Sequence, residues 1–209
     1  MKAALAVVGI GVEAAAWWRV SKGGSVWLWL TPALGGLGIA ALVAGPPPLS
    51  PAVDASTAIP VGLAIGIGLY VATRLFFLVA GRWDLLRRHS VTMYRRQGGL
   101  SLGVALALSV AVSVPGEELF WREFVQLELV EALDGATMGA AVLAWAVFVF
   151  ANLFSRNLAI VAGAVVGGAV WCGLCWWTGG VAASLACHVL WTALMLAFPV
   201  VRIASEAPA

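Results

Sequence analysis

The stretch Leu102-Gly103-Val104-Ala105-Leu106-Ala107-Leu108-Ser109-Val110-Ala111-Val112-Ser113-Val114-Pro115-Gly116-Glu117-Glu118-Leu119-Phe120-Trp121-Arg122 decides how this chain is read. It starts as an apolar run of membrane-spanning character. It then sets two carboxylates and a guanidinium inside a chain that otherwise excludes charge. An ionised carboxylate in hydrocarbon costs several kcal/mol unless it gives up its charge. Two adjacent ones therefore need a polar setting. The simplest is a wet cavity inside a helix bundle, where carboxylates can act on water.

The totals agree. Of 209 residues, 62% are hydrophobic and 11% charged, and the mean hydropathy is +0.99. A soluble domain carries about 25% charged residues. The apolar runs are continuous rather than alternating, which argues against a β-barrel. The fold class expected is all-α, a polytopic transmembrane bundle of about seven spans in one membrane domain. The net charge of +2 is too small to suggest nucleic acid. Cys172, Cys175 and Cys187 sit in apolar context and suggest no disulfide framework.

A span needs roughly 20 apolar residues. Candidate spans cover about Ala3–Trp18, Val26–Ala44, Ile59–Ala80, a fourth from Leu100 into the Glu-Glu segment, Ala136–Phe154, Leu158–Trp177 and Val181–Val201. The first reads as a span rather than a signal peptide, since no small-residue cleavage site precedes a soluble stretch. Gly45-Pro46-Pro47-Pro48 and Ser50-Pro51 interrupt the chain between the second and third. Arg19 and Lys22 follow the first span, Arg82, Arg87, Arg88, Arg95 and Arg96 the third, Arg156 the fifth and Arg202 the seventh. The other loops carry no Lys or Arg, which places the N-terminus outside and the C-terminus in the cytoplasm. Lys2 is a minor exception. Pro115-Gly116 predicts a break in the fourth segment, with Glu117 near the start of a new helix.

Several features read as structural. Trp17, Trp18, Trp27, Trp29, Trp176 and Trp177 fall near span ends, as interfacial belts do. Gly62 with Gly66, and Gly163 with Gly167, have the small-xxx-small spacing of close helix packing. Glu13 and Arg74 read as a pair with each other, or as snorkelling side chains. His89 reads as solvated in the basic loop. Trp83–Arg96 reads as a basic amphipathic helix on anionic lipid.

Three places can carry chemistry. On a straight helix Glu118 and Arg122 share a face, while Glu117 is turned about 100° away and left free. A free carboxylate can act as a general base toward water. The bland alternative is an interfacial acidic cluster, since Glu123, Glu128, Glu131 and Asp134 follow. His188, with Thr192 one turn on, can hydrogen-bond a substrate carbonyl, ligate a metal, or simply bond a neighbouring carbonyl. Asn152 is equally open to interhelical hydrogen bonding.

Glu117-Glu118-Leu119-Phe120-Trp121-Arg122 resembles the EExxxR motif of the CPBP family, the CAAX proteases and bacteriocin-processing enzymes also called Abi proteins. Phe148 to Asn152 stands where that family has FxxxH, and His188 to Thr192 where it has HxxxN/D. The likeness covers about Leu100 to Pro199. It implies residues 1–99 as N-terminal spans with a basic cytoplasmic loop and 100–209 as a catalytic-type core, in a bacterial plasma membrane. It implies an intramembrane endopeptidase acting on a peptide or lipidated protein substrate among membrane lipids. Glu117 would activate water with the help of the second motif. Glu118 and Arg122 would position the site. His188 and Thr192 would polarise the scissile carbonyl. Family members are also described as metalloproteases, which leaves open a divalent metal such as zinc on Glu117 and His188. The chain departs from the pattern at Asn152 and Thr192. A catalytically degenerate relative, acting as a membrane scaffold or immunity-type binding protein, therefore stands as the alternative. A proton-relay transporter is disfavoured, because no repeat or paired broken helix is visible.

Overall fold

The computed structural model describes residues 2–46, 51–80, 82–96 and 98–201. Pro47, Pro48, Ser50 and Arg202 lie outside the described residues. The described chain is helical, without strands: α1 (Lys2–Ser21), α2 (Val26–Ala44), α3 (Ala55–Ala80), α4 (Asp84–Arg96), α5 (Leu102–Ala132), α6 (Thr137–Leu153), α7 (Leu158–Thr178) and α8 (Ala182–Ala197). Five of these, α1, α2, α3, α5 and α7, are long and apolar enough to cross a membrane, while α6 and α8 are apolar but shorter. Both shorter helices fall where the sequence predicts its fifth and seventh spans. The chain is an all-α integral membrane protein. The last helix stops at Ala197 rather than Val201, since Phe198 is held out of helical geometry before Pro199.

The predicted break at Pro115-Gly116 does not occur. α5 runs through as one helix of 31 residues, about 46 Å long at 1.5 Å per residue. Its turns widen to π type at Ser109–Ser113, just before the proline, and again at Leu119–Val125. Proline lacks an N–H and its ring crowds the carbonyl four residues back. A π turn, bonded i to i+5, relieves that crowding without ending the helix. Glu117 is therefore mid-helix, not at a helix start.

α5 is the centre of the bundle. Phe120, Trp121 and Phe124 have no exposure, and they pack with Leu37, Phe148 and Trp171. α2 crosses α5 backbone to backbone. A Cβ at Gly116 would fall on the Leu34 carbonyl, and one at Gly38 would lie 2.6 Å from the Gly116 Cα. α3 and α8 meet the same way, Gly62 against the Ala183 backbone and Gly66 against Cys187. Here the small-xxx-small reading holds. Gly163 and Gly167 differ, because the space beside them is filled by the indoles of Trp191 and Trp171.

Other expectations are corrected. Trp17 is buried, whereas Trp18, Trp29, Trp176 and Trp177 are exposed. Lys2 pairs with Glu128 at 2.7 Å, which offsets the one positive charge at odds with the loop pattern. Glu13 and Arg74 do not pair. Arg74 donates to the Pro199 carbonyl at 3.3 Å, and Glu13 is buried elsewhere. α4 is amphipathic as expected, with Leu86, Ser90 and Tyr94 buried and Arg87, Arg88 and Arg95 exposed. His89 is not simply solvated. Its Nδ1 accepts from the Leu158 N–H at 2.7 Å and its carbonyl accepts from Asn157 Nδ2 at 2.9 Å, capping α7. Tyr94 donates to the Met195 carbonyl at 3.1 Å. Burial pushes its hydroxyl up to about 12, so it remains a donor at neutral pH.

The Gly116 crossing predicts a sharp packing effect. Gly116→Val should lower stability by about 1–3 kcal/mol or prevent folding, read as thermal unfolding in detergent. Gly36→Ala, which meets nothing within 4 Å, should leave the melting temperature unchanged or raised. Equal melting temperatures for the Gly116 variant and wild type would contradict the close crossing.

Candidate active site

Glu117, Glu118, Arg122, Asn152, His188 and Thr192 come from three helices and converge. Glu118 and Arg122 have no exposure. Arg122 lies 3.4 Å from Glu118 and 3.8 Å from Glu117. The straight-helix expectation of a Glu117 turned wholly away is thus corrected. The π turn at Leu119–Val125 swings Arg122 round until it faces both carboxylates. Its guanidinium also lies over Phe148, 4.5 Å from the ring centre, and over Trp171, at 5.2 Å. Desolvated cation–π contacts of this kind contribute about 2 kcal/mol.

His188 reaches α5 from α8. Its Nδ1 is 2.8 Å from Glu118 Oε1. An ionised carboxylate only accepts, so Nδ1 carries the proton and donates. The imidazole stacks on Trp171, with ring centres 3.5 Å apart and planes 14° from parallel. Two contacts at right angles therefore define its orientation, one in the ring plane and one on its face.

Glu117 differs from its neighbour. Its side chain keeps 13% of its exposure and lines a cavity of about 430 Å³, together with Asn152, Trp171, His188 and Thr192. The rest of the cavity wall is mostly apolar, including Phe76, Phe77 and Met195. One carboxylate of the pair thus faces open space while the other is locked in the wall.

Sequence reading missed one participant. Glu13 of α1 is 1% exposed. It accepts from Trp121 Nε1 at 2.6 Å and from Asn152 Nδ2 at 3.3 Å. The available signal was the same one that marks Glu117, a carboxylate in the middle of an apolar span. Trp171 gave no signal, since one more tryptophan in a tryptophan-rich chain is unremarked.

Among the described residues no group of three or more His, Cys, Asp or Glu side chains could hold a metal ion. The cysteines serve packing. Cys175 donates to the Arg122 carbonyl at 3.6 Å, and the Cys172 carbonyl accepts from Gln126 at 3.2 Å.

Removing Arg122 should be costly. Arg122→Ala leaves Glu118 buried without its cation and should lose about 3–5 kcal/mol. Arg122→Lys keeps the charge but not the planar stack on Phe148 and Trp171, and should recover only part of the loss. Chemical or thermal unfolding in detergent measures both. Full recovery by lysine would show that charge alone matters.

The comparisons with known proteins fall on this same region. Residues 99–194 match a family model described as type II CAAX prenyl endopeptidase Rce1-like. No curated protein and no solved structure gives a significant match. The matched segment holds α5 to α8 up to Leu194, and with them the EExxxR motif, Asn152, His188 and Thr192. Over residues 99–194 the chain is thus similar to the Rce1-like type II CAAX prenyl endopeptidases, which is consistent with the CPBP resemblance of its motifs.

Proposed function

We propose that the protein is an intramembrane endopeptidase in which Glu117 activates water against a peptide bond held in the cavity. One observation carries this reading: Glu117 is exposed to the cavity while the adjacent Glu118 is locked by Arg122 and His188. A general base must reach its water, and a structural carboxylate need not. Glu117 takes one water proton as the oxygen attacks the carbonyl carbon. His188 and Thr192 polarise the carbonyl oxygen, a role that asks for a proton on His188 Nε2 and that the Glu118 carboxylate at Nδ1 supports electrostatically. As the tetrahedral intermediate collapses, Glu117 returns its proton to the leaving nitrogen. No step passes through a metal.

The cavity walls support one substrate class. A cavity with one polar corner and a long apolar face suits a peptide that carries a lipid chain. The matched family description names prenyl substrates, and a prenylated peptide is the first to test.

A second reading is favoured by Asn152. A neutral amide cannot take a proton, and its nitrogen is bound to Glu13 and to the Phe148 carbonyl. In that reading the cavity binds a peptide or partner without cutting it.

Fluorogenic peptides with and without a prenylated cysteine separate the two. Glu117→Ala should fold normally and lose cleavage by about 10²–10⁴. Asn152→His should raise the rate by adding a second base. No cleavage by wild type, with cleavage by Asn152→His, would mark a binding protein built on the protease core.

A further inference from the structure

Glu13 lies outside the segment that matches the protease family, on the first helix of the chain. It is nevertheless bonded to two residues of the site. Its Oε2 accepts from the Trp121 indole at 2.6 Å, and Trp121 is fully buried. Its Oε1 accepts from Asn152 Nδ2 at 3.3 Å. The same Asn152 nitrogen donates to the Phe148 carbonyl at 3.0 Å. A backbone carbonyl only accepts, so the amide nitrogen, and not the oxygen, must face it. Both amide protons are then engaged, one by Glu13 and one by the Phe148 carbonyl. The Asn152 oxygen is left for the cavity wall, where Asn152 and Glu117 stand together.

We infer that Glu13 is a positioning residue of the site: it holds the Asn152 amide by its nitrogen, so that the Asn152 oxygen is presented to the cavity as a hydrogen-bond acceptor. This rests on the peptidase reading for its chemical meaning. A water that gives one proton to Glu117 and donates the other to the Asn152 oxygen has a lone pair directed elsewhere, toward the scissile carbonyl. The chain has a carboxylate from α1 fixing an amide where the family motif has a histidine. The two oxygens of the Glu13 carboxyl are each engaged by a different donor, the Trp121 indole and the Asn152 amide. The Trp121 indole fixes the carboxylate, so the orientation is set from the bundle core outward.

The test combines kinetics with a direct view of the amide. Asn152 and Asn157 are the only asparagines in the chain, so nitrogen-15 labelling of asparagine yields two side-chain amide signals, which Asn157→Asp distinguishes. In wild type the Asn152 amide protons should exchange slowly with solvent. Glu13→Gln offers one acceptor oxygen to two donors, and Glu13→Ala offers none. The Asn152 signal should shift, and its exchange should quicken, in that order. In prenyl-peptide cleavage, kcat should fall roughly tenfold to a hundredfold with KM nearly unchanged. In an Asn152→Ala background, Glu13→Gln should add little further loss. An unmoved amide signal in a folded Glu13 variant overturns the inference. So does full multiplication of the two losses, or unchanged kcat where Glu117→Ala abolishes cleavage. If wild type and Glu117→Ala cleave alike or not at all, the peptidase reading falls instead. The amide signal then still decides whether Glu13 holds Asn152.

Discussion

A guanidinium without solvent exposure, at the centre of a membrane bundle, constrains everything around it. Moving such an ion out of water costs several kcal/mol even after relaxation, and a partner compensates only with good geometry. Arg122 has Glu118 and Glu117 on one side and the faces of Phe148 and Trp171 on the other. Supplying those partners fixes three helices relative to one another. α5 brings the carboxylates, α6 brings Phe148 and α7 brings Trp171. The π turn in α5 follows from the same need, because a straight helix would present Arg122 to Glu118 alone. The glycine crossing of α2 over Gly116 then lets the neighbouring helix close over the turn that bears Glu117.

From Arg122 the organisation spreads in two directions. Through Glu118 it reaches His188, whose ring is also held flat against Trp171. Through Trp121 it reaches Glu13, and from there Asn152. His188 and Asn152, which line the polar corner of the cavity, are thus each backed by a carboxyl that does not, Glu118 and Glu13. This is the arrangement expected where reacting groups must hold their geometry to within a fraction of an ångström. Glu117 is the exception, with only Arg122 at 3.8 Å and an open side. The least restrained carboxylate faces the cavity, which is what supports the base role proposed for it.

The N-terminal helices are not a separate layer beside the catalytic-type core. Leu37 and Ala41 of α2 and Ala58 and Leu69 of α3 belong to the same buried cluster as Phe120, Trp121 and Trp171. α4 is tied to α7 by the bond of its His89 to Leu158 and to α8 by the bond of its Tyr94 to Met195. Its buried residues Leu86, Ser90 and Tyr94 form part of the cavity lining, so the basic helix covers one end of the space.

The amino-acid sequence by itself determined the helical class, the places of the helices to within a few residues, and the residues of the three motifs. Those features are local. Hydropathy over about 20 residues marks a membrane helix whatever its neighbours, and a charged group in such a run stands out on its cost alone. Only the tertiary structure decided partners. Glu13 meets Trp121 and Asn152 rather than Arg74, and His89 caps α7 rather than resting in solvent. Gly163 and Gly167 accommodate indoles rather than a backbone. A pairing depends on which helices are neighbours and on the angle each side chain makes about its axis. Apolar composition carries almost no periodic signal to set that angle in a buried helix. The π turn at Leu119–Val125 shifts it further, turning Arg122 toward both carboxylates. That local widening could not be read from residue types, because it answers to the buried partners of Arg122 and not to a local helix breaker.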